Sequence, residues 1–377
     1  MTDESLRHSP LQSVHEALGA TFITFAGWQM PARYTSDLAE HRAVRTGAGI
    51  FDLSHMGEIR IRGAQAGDAL DYSLAGKLSG LAIGRAKYTL LLNEEGGILD
   101  DLVVYRLPDG DYLAVVNAAN AQLDLAALVD RTRRFDAEVI DETAGTALIA
   151  VQGPGSEAIV AAALAHPDSG SSSVGPEEIG SLGYYRCRAG TFEGDPLLIA
   201  RTGYTGEDGF ELYVPSSSAQ RLWQTLSDVA GVAPLPCGLA CRDTLRLEAG
   251  MPLYGHELTT ATRPAQAGLG RVVSFAKPGD FVGRAALEGR DGSGDPVLVG
   301  LAGQGRRAAR AGYAVLSAAG DAIGEVTSGA LSPTLGHPVA MAYLAPEFSD
   351  PGTRLAVDVR GTSLPFTVVP LPFYTRS

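Results

Sequence analysis

From residue 58 onward the apolar positions recur with two different periods, and the order of those periods outlines the chain. "EIRIRG" (58–63) alternates as a strand, and "AQAGDALDYSLAG" (64–76) repeats its apolar residues at helical spacing. Three strand-like runs follow: "AKYTLLLN" (86–93), "ILDDLVVYRL" (98–107) and "DYLAVVN" (111–117). Then comes a helical run, "AQLDLAALVDRTRRF" (121–135), with Asn117 or Asn120 as its capping candidate. "AEVIDET" (137–143) closes the series as a strand.

The same order then repeats. "TALIAVQGP" (146–154) reads as a strand and "GSEAIVAAALAH" (155–166) as a helix. "GYYRCRAG" (183–190), "DPLLIARTG" (195–203) and "FELYVP" (210–215) read as strands, and "SSAQRLWQTLSDVAG" (217–231) as a serine-capped helix. Residue identity between the halves is not evident, so the match is one of element order. It predicts a duplicated α+β unit whose two sheets face a shared central cavity; two independently packed subdomains are the alternative. The polar stretch 166–183 reads as a surface loop. Beyond about residue 290 helical periodicity stops. Six short runs between 297 and 371 read as strands separated by turns, the pattern of a small β-barrel or Greek-key domain. The expected boundary lies near "LEGRDGSGDP" (287–296).

Composition narrows the function. The formal net charge of -13 argues against a nucleic-acid partner, which requires a basic surface to displace counterions from phosphates. Cys187, Cys237 and Cys241 form no disulfide framework and read as buried small hydrophobes in a reducing compartment. The polar N-terminus and the lack of any long apolar run point to a cytoplasmic protein with no membrane segment. Neither a G-x-G-x-x-G after a strand nor a G-x-x-x-x-G-K-[ST] is present, so no nucleotide is expected. The cysteine pair lacks the His or Cys companions of a metal site, so no metal is expected either.

Four stretches carry candidate chemistry. In "NEEGGILDDLVVY" (93–105), alternation puts Asp100 with Ile98, Leu102 and Val104, and Asp101 with Leu99, Val103 and Tyr105. Both faces are apolar, so at least one carboxylate enters an environment that raises the cost of its charge, and alternation does not choose between them. "RTGYTGEDGFELYV" (201–214) carries turn-permitting Gly203, Gly206 and Gly209, solvent-facing Glu207 and Asp208, and Glu211 at the start of a strand, placed to accept two N–H donors from a flat heterocycle. "PCGLACRDTLRLEAGMPLYGHEL" (236–258) reads as a helix stopping at Gly250, with Arg242 and Arg246 four apart on one face, either structural or bound to an anionic ligand. The "SHMGE" turn (54–58) offers His55 as a general base or a structural residue. Together these describe a pocket for a flat polar heterocycle with an anionic tail.

Eight segments in order, "FAGWQMPARY", "GIFDLSHMGE", "GGILDDLVVY", "VVNAAN", "RTGYTGEDGFEL", "CRDTLRLEAGMPLYGHEL", "VTSGALSPTLGHPVAMAYL" and the terminal "LPFY", resemble the motif series of the aminomethyltransferases, the T-proteins of the glycine cleavage system. The resemblance implies an α+β fold: a folate-binding region of two interleaved ferredoxin-like subdomains around a central cavity (1–285, one subdomain roughly 51–141), plus a C-terminal β-barrel domain (290–377). It implies transfer of a one-carbon unit from the aminomethyl-lipoyl arm of a lipoylated H-protein to tetrahydrofolate, the co-substrate. The products are 5,10-methylenetetrahydrofolate, ammonia and the dihydrolipoyl arm. By motif position it assigns Asp101 as the catalytic acid. It makes Met56, Tyr88 and Asn117 cavity-lining, Tyr204 a pocket residue, Glu211 the acid at the pterin edge and Arg242 a folate contact, and it matches Tyr374 of the terminal "LPFY" to the binding region. Asp100 is left with a structural pairing or cap. Two alternatives on the same scaffold are a folate-dependent demethylase or methyltransferase, and a non-catalytic iron–sulfur assembly factor. The first normally carries a flavin domain; the second carries a K-G-C-Y-x-G-Q-E stretch, where this chain has Met251 and Pro252 in "AGMPLYGHEL".

Overall fold

A computed structural model describes residues 6–165, 172–290 and 292–376. They divide into two compact units. One contains the residues up to Ser73, Leu78–Tyr88 and Leu102–Arg242; the other contains Leu74–Lys77, Thr89–Asp101 and the chain from Asp243 onward.

The first unit is built on a six-stranded sheet. Its order is Cys187–Phe192, Asp195–Ala200, Gly209–Pro215, Thr146–Gln152, Gly49–Asp52 and Leu235–Pro236. The central strand Thr146–Gln152 is apolar from Ala147 to Val151 because both its faces are covered. Ala147, Ile149 and Val151 pack with Phe210, Leu212 and Val214 against Ile159, Val160, Leu222, Trp223 and Leu226 of the helices Ser156–Ala165 and Ala219–Ser227. Alternation therefore sends Glu211 and Tyr213 to the opposite face of the sheet.

The interleaving lies in Gly49–Asp52, which joins this sheet by pairing antiparallel to Ile149–Gln152. With only four residues between, the chain then begins Gly57–Arg62 in another sheet, ordered Ala86–Leu92, Ile98–Arg106, Tyr112–Val116, Gly57–Arg62 and Glu138–Asp141. The "LSHM" segment is thus a crossover between sheets. A three-stranded sheet near the N-terminus (Arg7–His8, Trp28–Arg33, Thr21–Phe25) and the helix Asp37–Thr46 precede it, and neither was anticipated from the pattern.

In the second unit the six expected strands close into a barrel, ordered Val297–Gly303, Pro338–Leu344, Ala322–Leu331, Ala314–Leu316, Arg354–Val359 and Thr362–Val369. Its interior is filled by Leu301, Val315, Val326, Ala340, Ala342, Leu344, Val357 and Val368. The α+β fold with a C-terminal barrel is as expected.

Local readings fared unevenly. Asn120 and Ser218 occupy N-cap positions, but both have helical backbone angles and neither makes a side-chain cap bond; Ser218 donates to Asp195 instead. Within the expected loop 166–183, residues 166–171 lie outside the described residues, and Pro176–Gly180 form a short helix. The three cysteines are buried and free, as read from the sequence. Burial pushes the Cys187 thiol up to about 12 and raises Cys237 well above its ordinary value. Among the described residues no helix is long and apolar enough to cross a membrane.

Candidate active site

The crossover that carries two of the candidate residues is held by buried polar bonds. Asp52 Oδ1 accepts the Ser54 amide at 2.9 Å, and the Ser54 hydroxyl accepts the Leu148 amide at 3.1 Å. Asp52 Oδ2 lies 2.8 Å from His15 Nε2 and accepts from the Ser9 hydroxyl, while Tyr34 meets His15 Nδ1 at 2.9 Å. Burial alone would raise the Asp52 carboxyl; the bonds from His15, Ser9 and the Ser54 amide outweigh it and hold the group below its ordinary value.

On this platform His55 is 3% exposed, stands edge-on to Phe25, and leaves Nδ1 buried with no hydrogen-bond partner among the described residues. Burial, aided by the charge of Arg242 and opposed by Asp52, pushes its pKa down to about 4. At neutral pH the ring is uncharged in both folded and unfolded chains, so its contribution to stability is complete above about 6.5. Between that value and about 4 only the unfolded chain binds the proton, and stability falls with pH by about 1.4 kcal/mol per unit. Denaturant titrations at pH 7 and pH 5 should show a smaller acid loss for His55→Gln than for the wild type; equal losses would sink this account.

Next to His55, Met56 is half-buried. The register Gly57↔Val116 brings the flanking residues Met56 and Asn117 to the same end of their paired strands. Asn117 is also half-buried.

The loop before Glu211 is wrapped around one amide. Gln152 Nε2 donates to the Thr202 carbonyl at 3.1 Å and Oε1 accepts from Thr205 at 3.0 Å. A Cβ on Gly203 or Gly209 would come within 2.0 or 2.3 Å of that amide, so these two glycines serve close approach; Gly206 alone of the three has positive φ. The solvent-facing reading of the turn acids is corrected. Glu207 is buried and paired with Arg45 at 2.9 Å, and Asp208 binds Arg201 at 2.5 Å.

Out of this braced loop come Tyr204 and Glu211. The Arg242 guanidinium lies 5.0 Å from the centre of the Tyr204 ring, and no carboxylate is within ion-pair distance of it among the described residues. Burial lowers the Arg242 pKa, with Glu211 and Tyr204 opposing the shift. Glu211 is anchored on one side only: Oε2 accepts from Thr202 at 2.5 Å and Tyr105 at 3.2 Å, while no donor reaches Oε1 among the described residues. An uncompensated cation and a half-satisfied carboxylate in one neighbourhood can receive a ligand with both a donor edge and negative charge.

The helix Leu239–Glu248 resolves the arginine pair. Arg246 is not a ligand group: it is 1% exposed and bonded to Glu257, Asp243 and Ser328.

In the strand Ile98–Arg106, Asp100 is fully buried, whereas Asp101 is half-buried on the face it shares with Leu99 and Val103. Tyr88 lies half-buried in the edge strand Ala86–Leu92, and Tyr374, also half-buried, donates its backbone N–H to the Glu248 carbonyl at 2.8 Å. All eight candidates are neither fully buried nor exposed. The sequence reading missed Tyr105, Thr202 and Tyr213, which stand behind Glu211. Tyr213 had a legible signal, lying two residues from Glu211 on the same face.

Comparison with known proteins identifies the family of the chain. Residues 11–277 match the GCVT N-terminal domain family, and 297–375 match the glycine cleavage T-protein C-terminal barrel domain family. The chain is 63% identical to an aminomethyltransferase of Cutibacterium acnes over 99% of its own length and 100% of that protein. It is 55% identical to an aminomethyltransferase of Streptomyces coelicolor over 100% of both chains. The crystal structure of glycine cleavage system aminomethyltransferase T from Bartonella henselae superposes with a TM-score of 0.88 at 37% identity, covering 98% of each chain.

Proposed function

Because the chain belongs to the aminomethyltransferase family of glycine cleavage T-proteins, we propose the following roles for its residues in that reaction. The family activity is its own, and the demethylase and iron–sulfur alternatives find no support among these relatives. The enzyme joins an aminomethyl carbon, carried as a thioether on a lipoyl arm, to two nitrogens of tetrahydrofolate. Two C–N bonds form while one C–S and one C–N bond break. The two N–H protons of the folate leave with ammonia and the thiol. The carbon stays at the formaldehyde level, so no oxidant is needed.

The half-satisfied carboxylate of Glu211 is the observation that carries the folate assignment. Its Oε1 accepts an N–H of the pterin edge, and Arg242, with Tyr204 under its guanidinium, attracts the negative part of the folate. Met56, Tyr88, Asn117 and Tyr374 line the binding region. Asp101 receives a proton from the attacking folate nitrogen and returns it to the departing amine. Holding carbon donor and nitrogen acceptor together supplies much of the rate by positioning.

Glu211→Ala should weaken tetrahydrofolate binding by about 10- to 100-fold, the range for losing a hydrogen bond to a charged group. Isothermal titration calorimetry checks this, and an unchanged dissociation constant removes Glu211 from the site. The donor partner is the lipoylated H-protein, the cell compartment is the cytoplasm, and the working division is a 1–285 folate region and a 290–377 barrel domain. Release of ammonia and methylenetetrahydrofolate from aminomethyl-loaded H-protein tests the reading as a whole; no ammonia above the uncatalysed rate defeats it.

A further inference from the structure

Glu211 is the acceptor at the end of a chain of hydroxyls. Tyr213 donates to the Tyr105 oxygen at 3.3 Å. The Tyr105 and Thr202 oxygens are 2.9 Å apart, and Thr202 donates to Glu211 Oε2 at 2.5 Å, with Tyr105 reaching the same oxygen at 3.2 Å. Tyr105, Thr202 and Tyr213 are 0%, 3% and 4% exposed, so water does not compete for these bonds. The two tyrosine rings meet edge to face at 5.9 Å, which fixes their hydroxyls in direction as well as place.

Each hydroxyl owns one proton. With Tyr213 donating to Tyr105, and Tyr105 and Thr202 each donating to Glu211 Oε2, every proton is used once and every donated bond points toward the carboxylate. In that arrangement Glu211 is the acceptor. Burial, reinforced at Tyr105 by Glu211, raises both phenols well above their ordinary values, so they remain donors. With Oε2 supplied, the carboxylate has one direction left in which to accept.

We propose that Tyr105, Thr202 and Tyr213 are positioning residues that hold Glu211 as an acceptor with Oε1 presented to the ligand. They thereby select a substrate edge made of N–H donors. The inference rests on Glu211 as the acid at the pterin edge. The relay belongs to ground-state recognition, so its loss appears in binding more than in turnover.

The test is a double-mutant cycle on the full-length enzyme with tetrahydrofolate. Thr202→Val should raise KM and Kd for tetrahydrofolate about tenfold and leave kcat within about twofold, while Thr202→Ser restores binding. In a Glu211→Gln background, Thr202→Val should add nothing further. Tyr213→Phe, which removes only the distal hydroxyl, should give a smaller loss in the same direction and serves if Thr202→Val fails to fold. Wild-type binding by Thr202→Val, or by Tyr213→Phe where the former does not fold, overturns the relay; if Glu211→Ala still binds weakly, the pterin assignment survives it. Full binding by Glu211→Ala overturns both.

Discussion

Asp101→Asn should lower turnover by about 10²- to 10⁴-fold while tetrahydrofolate binds as in the wild type, the usual range for losing a general acid–base group. The substitution keeps size and hydrogen-bonding capacity and removes only the ability to take up and return a proton. The half-buried place of Asp101 on an apolar strand face fits the proposed task, since it limits bulk water there without enclosing the carboxylate fully. Asp100, one residue earlier, is fully buried and serves as the control. Asp100→Asn should act on stability and leave kcat for the folded fraction intact. Single-turnover ammonia release separates the two variants, and equal turnover by Asp101→Asn and wild type would clear Asp101 of the chemistry.

The second large effect is thermodynamic. Arg246→Ala should destabilise the protein by about 3–5 kcal/mol, the cost of stranding the partner of a buried ion pair. Arg246 Nη1 lies 2.8 Å from Glu257 Oε2 with both side chains at most 1% exposed, and Nη2 donates to Ser328 at 2.7 Å. Glu257 in turn accepts from Thr327 at 2.6 Å and from the Leu253 amide at 3.0 Å. The arginine thus joins the end of the helix Leu239–Glu248 to the barrel strand Ala322–Leu331 and the loop between them. Removing it leaves Glu257 with bonds but no counter-charge. Urea unfolding measures the loss, and a change under about 1 kcal/mol would mean that water or a neighbour replaces the guanidinium.

How much of this was legible depended on whether the cause was local. The barrel strands and those from 58 to 152 were readable because apolar alternation follows from one buried face, or a continuous apolar run from two. Gly49–Asp52 was not, since four residues are too few to show a period and its partner strand is nearly a hundred residues away. Thr21–Phe25 is mostly exposed, so its sequence carries no burial pattern. The caps failed because residue type favours a bond that backbone angle then forbids at Asn120 and Ser218. Glu207 looked like a solvated turn residue because Arg45 is 162 positions away. At the candidate site the family motifs picked out the outer residues, whereas the hydroxyls behind Glu211 depend on which strands lie side by side.

The buried cysteines bear on the fate of the product. The reaction leaves a lipoyl arm as a free dithiol, a good nucleophile toward any disulfide and a ready partner for an oxidised protein thiol. Cys187, Cys237 and Cys241 are shut away from solvent, and the thiols of Cys187 and Cys237 resist ionisation. A mixed disulfide would form only after an oxidant had converted one of these thiols, and such oxidation needs an accessible thiolate, so burial keeps the protein cysteines from trapping the dihydrolipoyl product.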